Sequence, residues 1–348
     1  MDAGWRKRPV TVLLLVLNLA VFCCMAISSN SLWQFAPAVS LQWGANFGPA
    51  TQDDQWWRLL SAVFIHLSLL HVAVNLWALW DVGRLLEGLL GTWRFALVFV
   101  ASGMVGNLLS LALQNQQRVS SGASGAIFGL YGALLALLWH ERKRMAPTEY
   151  RWIFFAALGF CTLMLLLGLV IPSMDNAAHA GGLLAGLVLG MQLRPTALVG
   201  GGTLRCAWRA TTVLALAAVA ALALYLGLAQ PPYRYADELA ARAAIATFLL
   251  QDQQLAARVN SLLTNGNLSF NQMADALQKD VAEPYQHSFE TLAALQGSAQ
   301  LPSHATLVQL QSYVRQRQQQ ALQSARALQE AASVPVHGGA VPSAKQKR

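Results

Sequence analysis

The stretch Asn176-Ala177-Ala178-His179-Ala180-Gly181-Gly182-Leu183-Leu184-Ala185-Gly186-Leu187-Val188-Leu189-Gly190-Met191-Gln192-Leu193 decides the fold. It carries no Asp, Glu, Lys or Arg and approaches the roughly 20 apolar residues that a membrane-crossing helix needs. Gly182, Gly186 and Gly190 recur every four residues, a spacing that lets a second helix backbone come close in lipid. His179 lies three residues before Gly182 and seven before Gly186, hence on the same face. An ionisable side chain inside a membrane is costly and points to a bundle interior or a water-filled cavity.

Two further stretches share this character. Gly122-Ala123-Ser124-Gly125 opens an apolar run in which Gly125 and Gly129 are again four apart, so spans four and six are expected to pack together with Ser124 facing His179. His66, His71 and Asn75 stand at the outer entrance to the second span, and His71 and Asn75 are four apart on one helix face. Taken alone, a Gly-x-Ser-Gly in an apolar helix suits packing as well as catalysis. A lone intramembrane histidine suits a hydrogen bond to a carbonyl more readily than a role as base, and Asn75 suits helix association as well as an oxyanion.

The composition frames these residues. The chain has 348 residues, 55% hydrophobic and 11% charged, with a mean hydropathy of +0.41. An ordinary soluble domain carries roughly 25% charged residues. A soluble enzyme and a disordered chain are both excluded, and a multi-span membrane protein is expected. Spans are expected at about 9–28, 68–86, 95–113, 122–139, 152–171, 176–193 and 207–229. Arg6-Lys7-Arg8 before the first apolar run resembles a signal peptide, but no small-x-small cleavage site follows cleanly, and an uncleaved first helix is expected. With the N-terminus cytoplasmic, the inner segments hold twelve Lys and Arg residues, and the outer segments hold only Arg58 and Arg118. The net charge of +8 thus reports topology, and no nucleic-acid partner is expected. In a bacterium this topology means the inner membrane, with the C-terminal part periplasmic. The outer loop 29–67 holds Trp33, Phe35, Trp43, Phe47, Trp56 and Trp57, rings expected to bury at the bilayer surface. Cys23, Cys24, Cys161 and Cys206 lie in or beside apolar runs and suggest neither a disulfide framework nor a zinc site. No metal or cofactor is expected.

All eleven tryptophans precede residue 209, and a Pro-Pro break at Gln230-Pro231-Pro232 separates the apolar part from a Gln-rich one. The expected organisation is a cytoplasmic N-terminus 1–8, a core 9–193, a linker with the seventh helix 194–230, a helical extramembrane domain 231–332 and a disordered tail 333–348. In the polar part, Leu239, Ile245, Leu249, Leu255 and Leu262 recur at broadly helical spacing, Asn265-Gly266-Asn267 reads as a turn, and Pro284 and Pro302 are expected to break later helices. A small helical domain and a weakly structured appendage both stay open there, and its partner is unknown.

With this topology spans two, four and six all run inward, and their polar residues fall near their starts, at one depth. A serine, an imidazole and a set of hydrogen-bond donors at one level is the inventory of acyl transfer. Asp175, four before His179, suits capping of the sixth span and is also a candidate orienting acid.

The ordered set resembles the rhomboid family of intramembrane serine proteases. It runs from Trp57-Arg58 through His66, His71, Asn75 and Gly83-x-x-x-Glu87-x-x-x-Gly91 to Gly122-x-Ser124-Gly125 and Ala178-His179-x-Gly181-Gly182-x-x-x-Gly186, within about residues 9–193. The resemblance implies an all-α polytopic membrane protein with a six-helix rhomboid core and an outward-opening cavity. To this the chain adds a seventh transmembrane helix and the extramembrane domain. It implies Ser124 as nucleophile and His179 as general base without a third acid, and His71, Asn75 and the Ser124 backbone N–H as the oxyanion hole. Trp57, Arg58, His66, Glu87, Gly122, Gly125, Phe128, Gly182 and Gly186 would be structural support. Phe128 stands where many members place a Tyr stacked on the imidazole, so the ring is kept and the hydroxyl lost. The implied partners are the lipid bilayer and proteins with a transmembrane helix that is cut. The alternative is a catalytically inactive rhomboid-like protein that binds membrane-protein clients.

Overall fold

The computed structural model describes residues 8–114, 118–193, 211, 222, 225–264, 266–295 and 299–333. The chain divides into two compact units, Met1–Pro231 and Pro232–Arg348.

The first unit is built from α1 (Pro9–Ser29), α2 (Pro37–Trp43), α3 (Gly48–Gln52), α4 (Arg58–Ser61), α5 (Leu69–Leu90), α6 (Thr92–Leu113), α7 (Ser124–Glu141), α8 (Pro147–Val170) and α9 (Asn176–Gln192). Among the described residues, α1, α5, α6 and α8 are long and apolar enough to cross a membrane. The helices α7 and α9 are shorter, at 18 and 17 residues. Every residue of α7 from Gly125 to Leu138 is buried, as fits a helix that is apolar all round. It is the axis of the unit, with α6 and α9 against it. In α8 only Ala157 and Cys161 are buried, and the outward apolar side chains suit contact with lipid. Most of the expected seventh span lies outside the described residues. Of its end, Leu228 is buried beside Leu59, Leu108 and Leu111, and the Tyr225 ring meets Trp56 edge-on at 4.5 Å.

Buried polar groups fix how these helices sit. The first backbone N–H groups of a helix have no partner within it. In α1 no capping side chain serves them; Glu87 of α5 accepts instead from Val10 N (3.0 Å), Thr11 N (2.8 Å) and Thr11 Oγ1 (2.6 Å). The outer loop is tied down in the same way. Arg58 Nη1 donates to the carbonyls of Leu41 (2.8 Å) and Ala45 (3.0 Å), and Asn107 Nδ2 of α6 donates to the carbonyl of Leu59 (2.8 Å). A short antiparallel ladder pairs β1 (Asn46–Phe47) with β2 (Val119–Ser120). The loop's rings are divided, not all at the bilayer surface: Phe35 and Phe47 are buried in the protein, whereas Trp33 and Trp57 are more than half exposed.

The second unit is helical. Tyr235–Thr264 and His304–Ser333 are 30-residue helices. Between them, Phe270–Leu277 and Glu283–Ala294 run on through a π-helical turn, Gln278–Ala282. Ala241, Phe248, Leu255 and Leu262 are buried seven residues apart, and so are Leu307, Val314 and Ala321. This 3.5-residue period is that of a coiled-coil seam. It corrects the stripe read from the sequence: Leu239 and Leu249 are about half exposed, while Ala241 and Phe248 take the core positions. Pro284 does not break its helix. It occupies the first turn of Glu283–Ala294, and the π-helical turn before it absorbs the lost hydrogen bond. Glu238 is buried and accepts from Ser303 N (3.1 Å), Ser303 Oγ (2.8 Å) and Arg242 Nε (2.6 Å), tying the first helix to the start of the last.

Candidate active site

Ser124 is the first residue of α7, and the turn before it is set by backbone chemistry. Gly122 has φ of +125°, where an L side chain is strained, and a Cβ there would lie 2.8 Å from the His71 ring. Its N–H donates to the Ala62 carbonyl (2.9 Å), and the next N–H, of Ala123, donates to His66 Nε2 (3.4 Å). Burial, helped by the neighbouring His71 and opposed by the Phe64 backbone, pushes the His66 imidazole down to about 3. It is therefore neutral at physiological pH, as an accepting Nε2 requires. As the first residue of the helix, Ser124 offers an N–H that no intrahelical carbonyl takes, at the positive end of the dipole.

His179 lies one turn into α9, with its N–H on the Asp175 carbonyl (3.0 Å). Its side chain is 3% exposed, and Nε2 is 2.9 Å from Ser124 Oγ. The Phe128 ring, one helical turn after Ser124, stacks on the imidazole with centroids 4.3 Å apart and planes 8° from parallel. The approach is made possible by glycine. A Cβ on Gly182 would lie 1.9 Å from the carbonyl oxygen of Gly125, and one on Gly186 equally close to that of Gly129. A Cβ on Gly125 would sit 3.2 Å from the Ala178 carbonyl.

His71 stands against the turn at Gly122, its ring edge-on to His66 at 5.0 Å between centroids. Asn75 Nδ2 donates to the His71 carbonyl (2.8 Å), and its Oδ1 is buried without a partner among the described residues. An amide has two N–H groups, so one remains for a substrate oxygen. Trp57 and Arg58 belong to the outer loop, where the Arg58 guanidinium lies 4.8 Å over the Trp57 ring, and Glu87 is at the far end of α5, on the start of α1. The contacts described for these three lie in the outer loop and at the start of α1.

Asp175 does more than sequence reasoning suggested. Its carboxylate caps α9 through Ala178 N (2.9 Å) and also accepts from Ser110 Oγ (2.6 Å), Gln114 Nε2 and Ser120 Oγ. Nothing in the sequence marks those three residues as its partners. His179 Nδ1 is buried with no hydrogen-bond partner among the described residues, so no described carboxylate accepts from that nitrogen. A serine oxygen on an imidazole nitrogen, beside a free helix-start N–H, is chemically able to attack a carbonyl and hold the oxyanion formed.

The model of the rhomboid domain matches residues 53–196. Rhomboid protease GluP of Bacillus subtilis is 32% identical over 232 residues, 66% of this chain and 42% of that protein. YdcA of the same bacterium is 30% identical over 184 residues, 53% of this chain and 88% of that protein. Rhomboid-type serine protease 2 of Emericella nidulans is 33% identical over 151 residues, 42% of this chain and 29% of that protein. The chain thus spans less than half the length of GluP and of the Emericella protease, but most of YdcA. By these matches and its apolar helices, the chain is an integral, multi-pass membrane protein that belongs to the rhomboid family.

Proposed function

We propose that this protein is an intramembrane serine endopeptidase that cuts within or beside transmembrane helices of other membrane proteins. The observation that carries the reading is the 2.9 Å contact between Ser124 Oγ and His179 Nε2 beneath the stacked Phe128 ring. A substrate helix approaches from the bilayer and unwinds locally, because a helical backbone keeps its carbonyls in hydrogen bonds that lipid does not replace. Ser124 Oγ attacks the exposed carbonyl carbon while His179 Nε2 takes its proton. The oxyanion is held by the Ser124 N–H, Asn75 and His71. His179 then returns the proton to the leaving amine, and water attacks the acyl-enzyme by the same route. Phe128 holds the imidazole plane, a task that a carboxylate performs in a triad. The charge distribution supports an N-terminus in the cytoplasm and a catalytic level near the opposite face. In a bacterium this topology means the inner membrane, with residues 231–348 in the periplasm.

The test is co-expression of a tagged single-span substrate with wild type, Ser124→Ala and His179→Ala. The proposal expects cleavage by wild type and none by either variant. Cleavage by Ser124→Ala at the wild-type level overturns the dyad. Binding of the substrate by wild type without cleavage returns the inactive, client-binding alternative.

A further inference from the structure

Asp175 accepts four hydrogen bonds, and a helix cap needs one. One oxygen takes Ala178 N at the start of α9 and Gln114 Nε2 just past the end of α6; the other takes Ser110 Oγ of α6 and Ser120 Oγ of β2. Ser120 is four residues before Ser124, and Asp175 is four before His179. The chain from Ser120 to Ser124 has little freedom, since Gly122 N is held by Ala62 and Ala123 N by His66. The turn from Asp175 to His179 is held by the Asp175 carbonyl as well as by its side chain. Beside it, the Arg118 guanidinium donates to the carbonyls of Pro172 and Met174, fixing the same segment to the approach to β2.

Building on the proposed dyad, we infer that Asp175 is the shared anchor that sets the separation of Ser124 and His179. It is a positioning residue: none of its four hydrogen bonds goes to Ser124 or to the imidazole, whose Nδ1 has no hydrogen-bond partner among the described residues. It works through the backbone, referring the strand that leads to the nucleophile and the helix that carries the base to one carboxylate. All four acceptor sites of that carboxylate are used. The geometry separates shape from charge. In Asp175→Asn one oxygen still accepts from Ala178 and Gln114, and the amide faces two serine hydroxyls able to accept in place of donating. In Asp175→Ala all four bonds are lost.

The experiment uses the full-length membrane protein in detergent or vesicles. It measures kcat and KM on a cleavable single-span substrate and the rate and end-point of Ser124 labelling by a small fluorophosphonate. Misplacing reacting groups by about 1 Å costs on the order of 10²-fold. Asp175→Ala is expected to lower kcat and the labelling rate by about that factor with KM within threefold, and Asp175→Asn to stay within a few-fold of wild type. Ser120→Ala, which cuts only the link to the nucleophile's strand, is expected to fall between them. Two results overturn the inference: wild-type rates in Asp175→Ala, or a lower labelling end-point with an unchanged rate per labelled site, which is a folding defect alone. Ser124→Ala run in parallel keeps the two readings apart, since its cleavage at the wild-type level refutes the dyad itself.

Discussion

Gly182→Ala tests the packing on which the site depends. The added methyl would lie 1.9 Å from the carbonyl oxygen of Gly125, where ordinary contact begins at 3.4 Å, so the two backbones must part by about 1.5 Å. The obstacle is backbone on both sides, and no flexible side chain is there to swing away. The displacement falls between the two halves of the dyad, since Gly125 follows Ser124 and Gly182 follows His179 by three residues. The Ser124–His179 contact then opens from 2.9 Å to beyond hydrogen-bond reach. Overpacking of this kind costs about 1–3 kcal/mol in stability, and misplacement on the order of 1 Å costs about 10²-fold in rate. Gly159→Ala in α8 is the matched control, because a Cβ there meets nothing within 4 Å and alanine is the better helix former. The assay is cleavage of a single-span substrate by both purified variants, with thermal melting alongside. Gly182→Ala retaining more than a third of wild-type kcat, or Gly159→Ala losing as much as Gly182→Ala, would refute the close-packing account.

Phe128→Ala removes the ring stacked 4.3 Å from the imidazole and is expected to lower kcat about 10-fold or more. Phe128→Tyr, which keeps the ring, should remain near wild type in the same cleavage assay. Glu87→Ala leaves three donors of α1 unserved and is expected to lower stability by about 1.5–3 kcal/mol, read as the melting temperature, with kcat preserved below the melt. In the second unit, burial and the Asp252 carboxylate, partly offset by Arg317, push the Tyr285 hydroxyl up from 10.0 to about 12. A pKa raised on folding contributes stability that is whole below pH 10 and lost as pH climbs through 12. Protease protection of residues 232–333 should therefore fall across that window in wild type. The Tyr285→Phe variant, with no hydroxyl to ionise, should show a smaller fall there.

What is legible in the sequence is whatever a helix face repeats. Gly182, Gly186 and Gly190, with Gly125 and Gly129, announce two backbones in close contact, and once those faces are known the serine and histidine beside them must meet. The level of Phe128 follows from the same 3.6-residue turn. The second unit is read less well because its seam follows a 3.5-residue period and uses small residues. Ala241 and Ala321 are too slight to mark a stripe, so the eye settles on Leu239 and Leu249, which the fold leaves outside. Polar partners are the harder case. Glu87 serves Thr11 at a separation of 76 residues, and Asp175 gathers Ser110 and Ser120 across 65 and 55. No local period encodes such pairs, because a buried acceptor is satisfied by whichever donor the packed helices bring to it. The sequence can therefore show that Asp175 begins a helix, a matter of one turn, but not that it also holds α6 and β2. That second role depends on tertiary packing, which buries Ser110 and Ser120 beside the carboxylate. Removing a carboxylate from water is costly unless donors replace the water, and so the buried Glu87 takes three and the part-buried Asp175 four.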